Sequence, residues 1–309
     1  MTHSFLESSL DSPSGATIKV YSRMPPGRVR AAVHINHGMS EHAARYARFA
    51  EALNKAGFSV YAHDHRGHGG TTAPDAPLGV FARRAGFDKV IADTLAVNKL
   101  IKQRSDVPVV CFGHSMGSII ALNFALRHPD RVAGLACWNA GVETGALAAL
   151  SRIILSVEAL VKGRTKPSAI ANKLTFEAWN REFKPNRTDF DWITSDEDEV
   201  DKYVADPLCG FPASIGLWLD VLAGVYFGAD DGNLGVLARD LPVHVQGGGA
   251  DPCSSQGYDM QNLAERLSEA DLVDVTLKIL PDTRHESLNE VNRDATTQAF
   301  IAWLKDRFP

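Results

Sequence analysis

The apolar run Val107-Pro108-Val109-Val110-Cys111-Phe112 leads straight into Gly113-His114-Ser115-Met116-Gly117, and a helical pattern, Ser118 to Leu126, follows at once. That order constrains the chain more than any other feature. A buried-type strand must end, the backbone must reverse within a few residues, and a helix must begin. So tight a turn brings backbone segments into contact on both sides of the serine, which glycine at both flanks permits because it lacks a Cβ. Ser115 is thereby lifted above the end of the strand at a helix N-terminus, where free N–H groups and the helix dipole favour negative charge. The strand–turn–helix context makes Ser115 the candidate nucleophile rather than an ordinary turn serine.

The same alternation runs through the first part of the chain. Residues 4–22 read as two short strands around Asp11-Ser12-Pro13-Ser14-Gly15, and Val29 to Asn36 as a third. Helix is expected from about His42 to Ala56, ended by Gly57, and again over 86–104; Phe58 to Ala62 and Val132 to Trp138 read as strands. This predicts an α/β class, with a mostly parallel sheet covered by helices on both faces. From about 141 to 237 the pattern turns mostly helical, and strands resume at Val243 to Gln246 and Val273 to Ile279, with a last helix from about Asn292 to Phe308. The expected organisation is a core made of 1–140 and 238–309, with 141–237 inserted as a helical cap. Within the cap, Ser195 and Asp198 have capping-box spacing and predict a helix start. Residues 146–161 are apolar on most sides and read as a cap helix packed on the core, with a lipid-touching surface as the alternative.

Composition narrows the function classes. A net charge of −5 with no Lys/Arg tract argues against nucleic acid as a partner. Cys111, Cys137, Cys209 and Cys253 are widely spaced, which predicts free thiols in a reducing compartment. The first residues lack a basic segment followed by an apolar one, and no uncharged stretch is long enough to span a bilayer; a cytoplasmic location is expected.

A serine hydroxyl is a poor nucleophile at neutral pH and needs a base, and the base needs a group to fix its tautomer. His285 follows the final strand and precedes the last helix, so it is the expected base. Asp251 follows Val243 to Ala250, at the carboxyl end of a strand, and is the expected orienting acid; Asp282, in the histidine's own loop, is the competitor. Ser, Asp, His is the chain order of an α/β-hydrolase triad. The oxyanion requires two fixed N–H donors, for which Met116 and Met39 are the candidates.

Four segments carry a family resemblance. Asn36-His37-Gly38-Met39-Ser40-Glu41-His42 with Arg45-Tyr46 resembles the HG-x-x-EH-x-x-RY segment of the monoacylglycerol lipase and lysophospholipase-like family of serine aminopeptidase S33-type α/β-hydrolases. Asp64-His65-Arg66-Gly67-His68-Gly69 resembles its D-x-RGHG loop, Gly113 to Gly117 its GHSMG elbow, and Arg284-His285-Glu286-Ser287-Leu288-Asn289-Glu290 its RHE-x-x-NE loop. Gly70-Thr71-Thr72 stands where the family usually has a serine. The resemblance implies an α/β-hydrolase core with a helical cap, no cofactor, and hydrolysis of carboxylic esters of single acyl chains. It also implies that Glu41, Arg45 and His114 lie near the alcohol end of the pocket; Glu41 and Arg45 have helical ion-pair spacing.

The expected activity is therefore that of a serine esterase on lipid or other small-molecule esters, with transient contact to a membrane or micelle through the cap. Small esters, amides or peptides are the alternative substrates, and a binding protein without catalysis would lack a triad member. His63-Asp64-His65-Arg66-Gly67-His68 nearly spells a binuclear metal motif, but Gly67 occupies the place of the required aspartate, and no metal is expected. No Walker A sequence occurs, and no G-x-G-x-x-G opens a helix after the first strand.

Overall fold

The computed structural model describes residues 5–142 and 144–309. Eight strands form one sheet in the order β1-β2-β4-β3-β5-β6-β7-β8. They are β1 (Leu6–Asp11), β2 (Thr17–Arg23), β3 (Ala32–Asn36), β4 (Ser59–His63), β5 (Val109–His114), β6 (Gly134–Trp138), β7 (Val243–Gly248) and β8 (Val275–Leu280). β2 runs antiparallel to β1 and β4, and every pairing from β4 to β8 is parallel.

The parallel strands are apolar on both faces because helices cover both. Their side chains alternate between two cores. Cys111, Leu135, Cys137, Val243 and Val245 enter one, with residues of α2 (Gly86–Arg104), α3 (Met116–Arg127) and α10 (Tyr258–Glu269). Val110, Phe112, Ala136 and Trp138 enter the other, with Phe49 and Leu53 of α1 (Ala47–Lys55) and Phe300 and Leu304 of α11 (Arg293–Arg307). The period of two in the sequence thus becomes a two-sided sheet. The chain steps from β3 to β4 on one side and to β5 on the other. That switch point opens a crevice at the strands' carboxyl ends, between the loop after β3 and the turn after β5.

Between β6 and β7 the described residues form helices and no named strand: α4 (Ala146–Lys162), α5 (Ala169–Leu174), α6 (Phe176–Asn180), α7 (Glu197–Ala205), α8 (Ile215–Gly228) and α9 (Asp231–Leu234). α8 is not peripheral. Its Leu217, Val221 and Val225 belong to the same core cluster as α2 and α3. Two expectations need correction here. The helix start near 195 is capped by Asp196, whose carboxylate accepts from the N–H groups of Asp198 and Glu199, while Ser195 bonds Glu290 instead. And α4 packs only one edge on its neighbours. Leu155 and Glu158 are its buried residues, whereas Leu147, Leu150, Ile153, Val157, Leu160 and Val161 are exposed. Among the described residues no helix is long and apolar enough to cross a membrane.

Candidate active site

Ser115 sits between β5 and α3 with φ 55° and ψ −124°, in a region non-glycine residues rarely occupy. Its N–H bonds the carbonyl of Trp138 at 2.8 Å, and its carbonyl accepts from Ser118 at 2.9 Å, so the strained residue is held from both sides. The flanking glycines are needed for close approach. A Cβ on Gly113 would lie 2.1 Å from the Gly117 carbonyl oxygen, and one on Gly117 would lie 2.0 Å from that of Asn36. Met116 opens α3, so its N–H has no carbonyl of its own helix to bond. Met39 and Met116 both border the cavity at Ser115.

His285 and Asp251 meet at the same edge. His285 Nδ1 lies 3.0 Å from Asp251 Oδ1. Asp251 is fully buried and accepts three further hydrogen bonds, from Cys253 N at 2.9 Å, Ser254 Oγ at 2.7 Å and Asn139 Nδ2 at 3.2 Å. Burial works against its charge, but His285 and the Ser254 and Asn139 donors outweigh burial and hold the carboxyl below its ordinary value. Asp282, the competing acid, is exposed. His285 and Ser115 wall one chamber with Gly38, Met39 and Trp192, which leaves about 30 Å³ free, room for about one water.

Beside the chamber lies a closed polar circuit. Glu41 accepts from Gly38 N at 2.6 Å, Tyr46 Oη at 2.8 Å and Arg45 Nη1 at 2.6 Å. Arg45 binds Glu286 through both terminal nitrogens and lies 4.8 Å from the Tyr203 ring centre. His114 places Nε2 2.9 Å from the His285 carbonyl and Nδ1 3.6 Å from Glu41. Both ring nitrogens face acceptors, which suits an imidazolium. Burial opposes charge on His114, yet Glu41, Glu286 and the His285 carbonyl together raise its pKa above the ordinary histidine value. Glu41 is held well below the usual carboxylate range, because Arg45 and His114 overcome its desolvation. The circuit ties together the loop after β3, the serine turn and the histidine loop.

On the other side of Ser115 the surroundings are apolar. A cavity of about 170 Å³ runs past Met116, Ile119, Val221 and Trp218. A second, of about 120 Å³, is lined by Leu155, Ile170 and Leu174 beside α4; the two share Thr175, Trp218 and Leu222.

The histidine-rich loop is buried structure. Asp64 accepts from Ala43 N and Gly70 N, and Arg66 donates to the Phe81 carbonyl and pairs with Asp75. Thr71 supplies a hydroxyl where the family usually has serine; it donates to the Asp64 carbonyl at 2.6 Å and accepts from Lys19 N at 2.9 Å. Among the described residues, the one group of three potential ligand side chains close enough to share an ion is His42, Asp206 and Cys209, away from His63, His65 and His68.

Sequence reasoning missed the aromatic wall and the ties of the helical block to the histidine loop. Trp192 lies over His285 with ring centres 4.7 Å apart, and Glu286 N donates to the Ile193 carbonyl at 2.6 Å. Nothing periodic marks residues 190–195. The clue available was the run of polar residues after His285, whose partners lie in that segment.

Sheet order, serine turn and the Asp251–His285 pair at the carboxyl ends of the strands define an α/β-hydrolase. The chain belongs to the family described as serine aminopeptidase, S33, which matches residues 27–292. It is similar to the monoglyceride lipase homolog of monkeypox virus, 31% identical over 180 residues, 58% of this chain and 56% of that protein, so it spans just over half the length of that relative. It is 26% identical over 278 residues to the monoacylglycerol lipase of Mycolicibacterium smegmatis, covering 89% of this chain and 88% of that one. A thermostable carboxyl esterase from Bacillus coagulans, solved with glycerol, superposes with a TM-score of 0.88 at 26% identity over the full length of both chains. The protein is thus an α/β-hydrolase related to monoglyceride lipases and carboxylesterases.

Proposed function

We propose that this protein is a serine hydrolase of single-chain carboxylic esters, of monoacylglycerol or lysophospholipid type, working without a cofactor. Ser115 Oγ attacks the acyl carbonyl while His285 takes its proton, and Asp251 holds the imidazole in the required tautomer. The N–H groups of Met39 and Met116 receive the oxyanion. Collapse expels the alcohol, protonated by His285, and leaves an acyl-serine. Water, deprotonated by His285, then releases the acid and restores Ser115.

The observation that carries this reading over small-ester chemistry is the pair of neighbouring apolar cavities, one at Ser115 and one at α4, that share Trp218 and Leu222 as lining. Such apolar space suits an acyl chain, each buried methylene being worth about 0.8 kcal/mol. In this reading residues 141–237 act as a cap over the site. The exposed apolar stripe of α4 supplies a rim that rests transiently on a membrane or micelle. Glu41, Arg45 and His114 border the polar side, where the alcohol leaves. The free thiols suit a reducing compartment, the cytoplasm.

The test is a rate series on the purified protein with monoacylglycerols of graded chain length and with triolein. kcat/KM should rise with chain length and then level off, with monoolein far ahead of triolein. Equal rates on the two, or a preference for acetate esters, would defeat the lipase reading.

A further inference from the structure

The loop after β3 and the segment after α7 meet beside the polar circuit, and both are pinned there. Gly210 N and the Tyr203 hydroxyl each donate to the Ser40 carbonyl at 2.9 Å, and Ser40 Oγ donates to the Phe211 carbonyl at 2.8 Å. On the first segment Ala43 N donates to Asp64 Oδ1 at 2.8 Å; on the second Cys209 N donates to the Asp206 carbonyl at 3.0 Å. Three side chains from two distant parts of the chain are thereby gathered: His42, Asp206 and Cys209. His42 Nε2 lies 2.8 Å from Asp206 Oδ2. One ligand atom of each residue, the Cys209 sulfur included, lies within 4.8 Å of the other two. Tetrahedral bonds of about 2.0–2.3 Å place neighbouring ligand atoms about 3.5 Å apart, so side-chain shifts of about 1 Å let the three share one ion.

The donors also match in kind. Imidazole nitrogen, thiolate sulfur and carboxylate oxygen together suit zinc, whereas Mg²⁺ and Ca²⁺ favour oxygen alone. Leu208 N donates to Asp206 Oδ1 at 2.8 Å, which leaves Oδ2 for the ion and fixes the carboxylate's orientation. Charge favours a cation. The strongest charged neighbours of Cys209 are the carboxylates of Glu41, Asp206 and Glu286 against one guanidinium, that of Arg45. His42 is buried, but Asp206 and Cys209 are half-buried, so an ion can enter from solvent.

We propose that His42, Asp206 and Cys209 form a zinc-binding site that fastens the loop after β3 to the helical block. Each side chain supplies one bond and a water the fourth. On binding, Cys209 loses its thiol proton to solvent, and His42 coordinates through Nε2 with its remaining proton on Nδ1. None of the three is Ser115, Asp251 or His285, so the ion braces structure and takes no part in the ester chemistry.

Binding of Zn²⁺ and Co²⁺ to the intact, reduced protein tests the assignment, alongside Cys209→Ser, Asp206→Asn and Cys253→Ser. Equilibrium dialysis should find one Zn²⁺ per chain. Cys209→Ser and Asp206→Asn should each weaken it at least about tenfold, since even outer-shell changes cost that much. Cys253→Ser, at the other half-buried thiol, should leave it unchanged. Co²⁺ should give a thiolate-to-metal charge-transfer band that Cys209→Ser lacks. Zn²⁺ at a hundredfold excess over Kd should raise the wild-type Tm by about 5 °C and leave that of Cys209→Ser in place. A wild type without the cobalt band, or one that binds Ca²⁺ as tightly as Zn²⁺, overturns the proposal and needs no variant to fold. Equal Zn²⁺ affinity in Cys209→Ser would mean an adventitious ion only. Bound Zn²⁺ that leaves the wild-type Tm unmoved would refute the fastening.

Discussion

Arg45 grips Glu286 with both terminal guanidinium nitrogens, each 2.7 Å from a different carboxylate oxygen, and Glu286 is the residue next to His285. The same guanidinium holds Glu41, which in turn fixes Gly38 N. One largely enclosed cation therefore ties the loop after β3 to the histidine loop. Glu286→Gln would strand part of that charge in a dry setting. The expected loss is about 3 kcal/mol of unfolding free energy, read by urea titration. A change below about 0.5 kcal/mol, the usual range for surface sites, would show the clamp to be dispensable.

Two carboxylates compete for the role of orienting acid in the proposed mechanism. Asp251 is buried and bonded to His285, and Asp282 is exposed. Asp251→Asn should lower kcat about 10⁴-fold by favouring the wrong tautomer, with the fold retained. Asp282→Asn should change it little. Steady-state rates on one ester decide, and the reverse order would assign the role to Asp282.

Five histidines, His34, His37, His63, His65 and His68, are fully buried beside β3 and β4. Burial lowers all of them, His37 to about 4 and His34 and His68 to about 3, and His63 and His65 well below the ordinary value. The folded state keeps these rings neutral while the unfolded chain protonates them below about pH 6.5. Their stabilisation is complete above that pH and falls as pH drops, by about 1.4 kcal/mol per unit for each ring. His114 runs the other way, since its raised pKa makes its contribution largest at low pH and lost as pH rises. Five rings outweigh one, and acid unfolding is expected near about pH 5. Urea midpoints that stay level from pH 7 to pH 5 would contradict this.

Leu222 lines both apolar cavities. Leu222→Trp should close the outer one. About four methylenes excluded from it correspond to about 3 kcal/mol. Rates on p-nitrophenyl dodecanoate should fall at least tenfold while those on the butyrate hold. Parallel losses on both esters would mean that the chain takes another route.

Most of the sheet was legible because each strand writes its own signal. Cys111 and Phe112, or Cys137 and Trp138, are neighbours sent to opposite cores, and helices flank them on both faces. Ser115, Asp251 and His285 were legible as strand-end residues, since a parallel sheet gathers its carboxyl ends at one edge. The helical block was not. Trp192 lies in an irregular segment whose place depends on long-range bonds to Glu286, Asn289 and Glu290, and no local period records them. α4 misled for a related reason: its apolar pattern reads as burial, but most of those side chains face outward. Periodicity tells which face is apolar, and only the neighbours tell what covers it.

The central claim is that Ser115 is the single nucleophile. Its most direct test is labelling of the native protein with a fluorophosphonate, followed by peptide mass spectrometry, alongside ester turnover by Ser115→Ala. The account predicts one adduct, on Ser115, and no turnover by a folded Ser115→Ala protein. An adduct on another residue, or full activity in the folded variant, would contradict it.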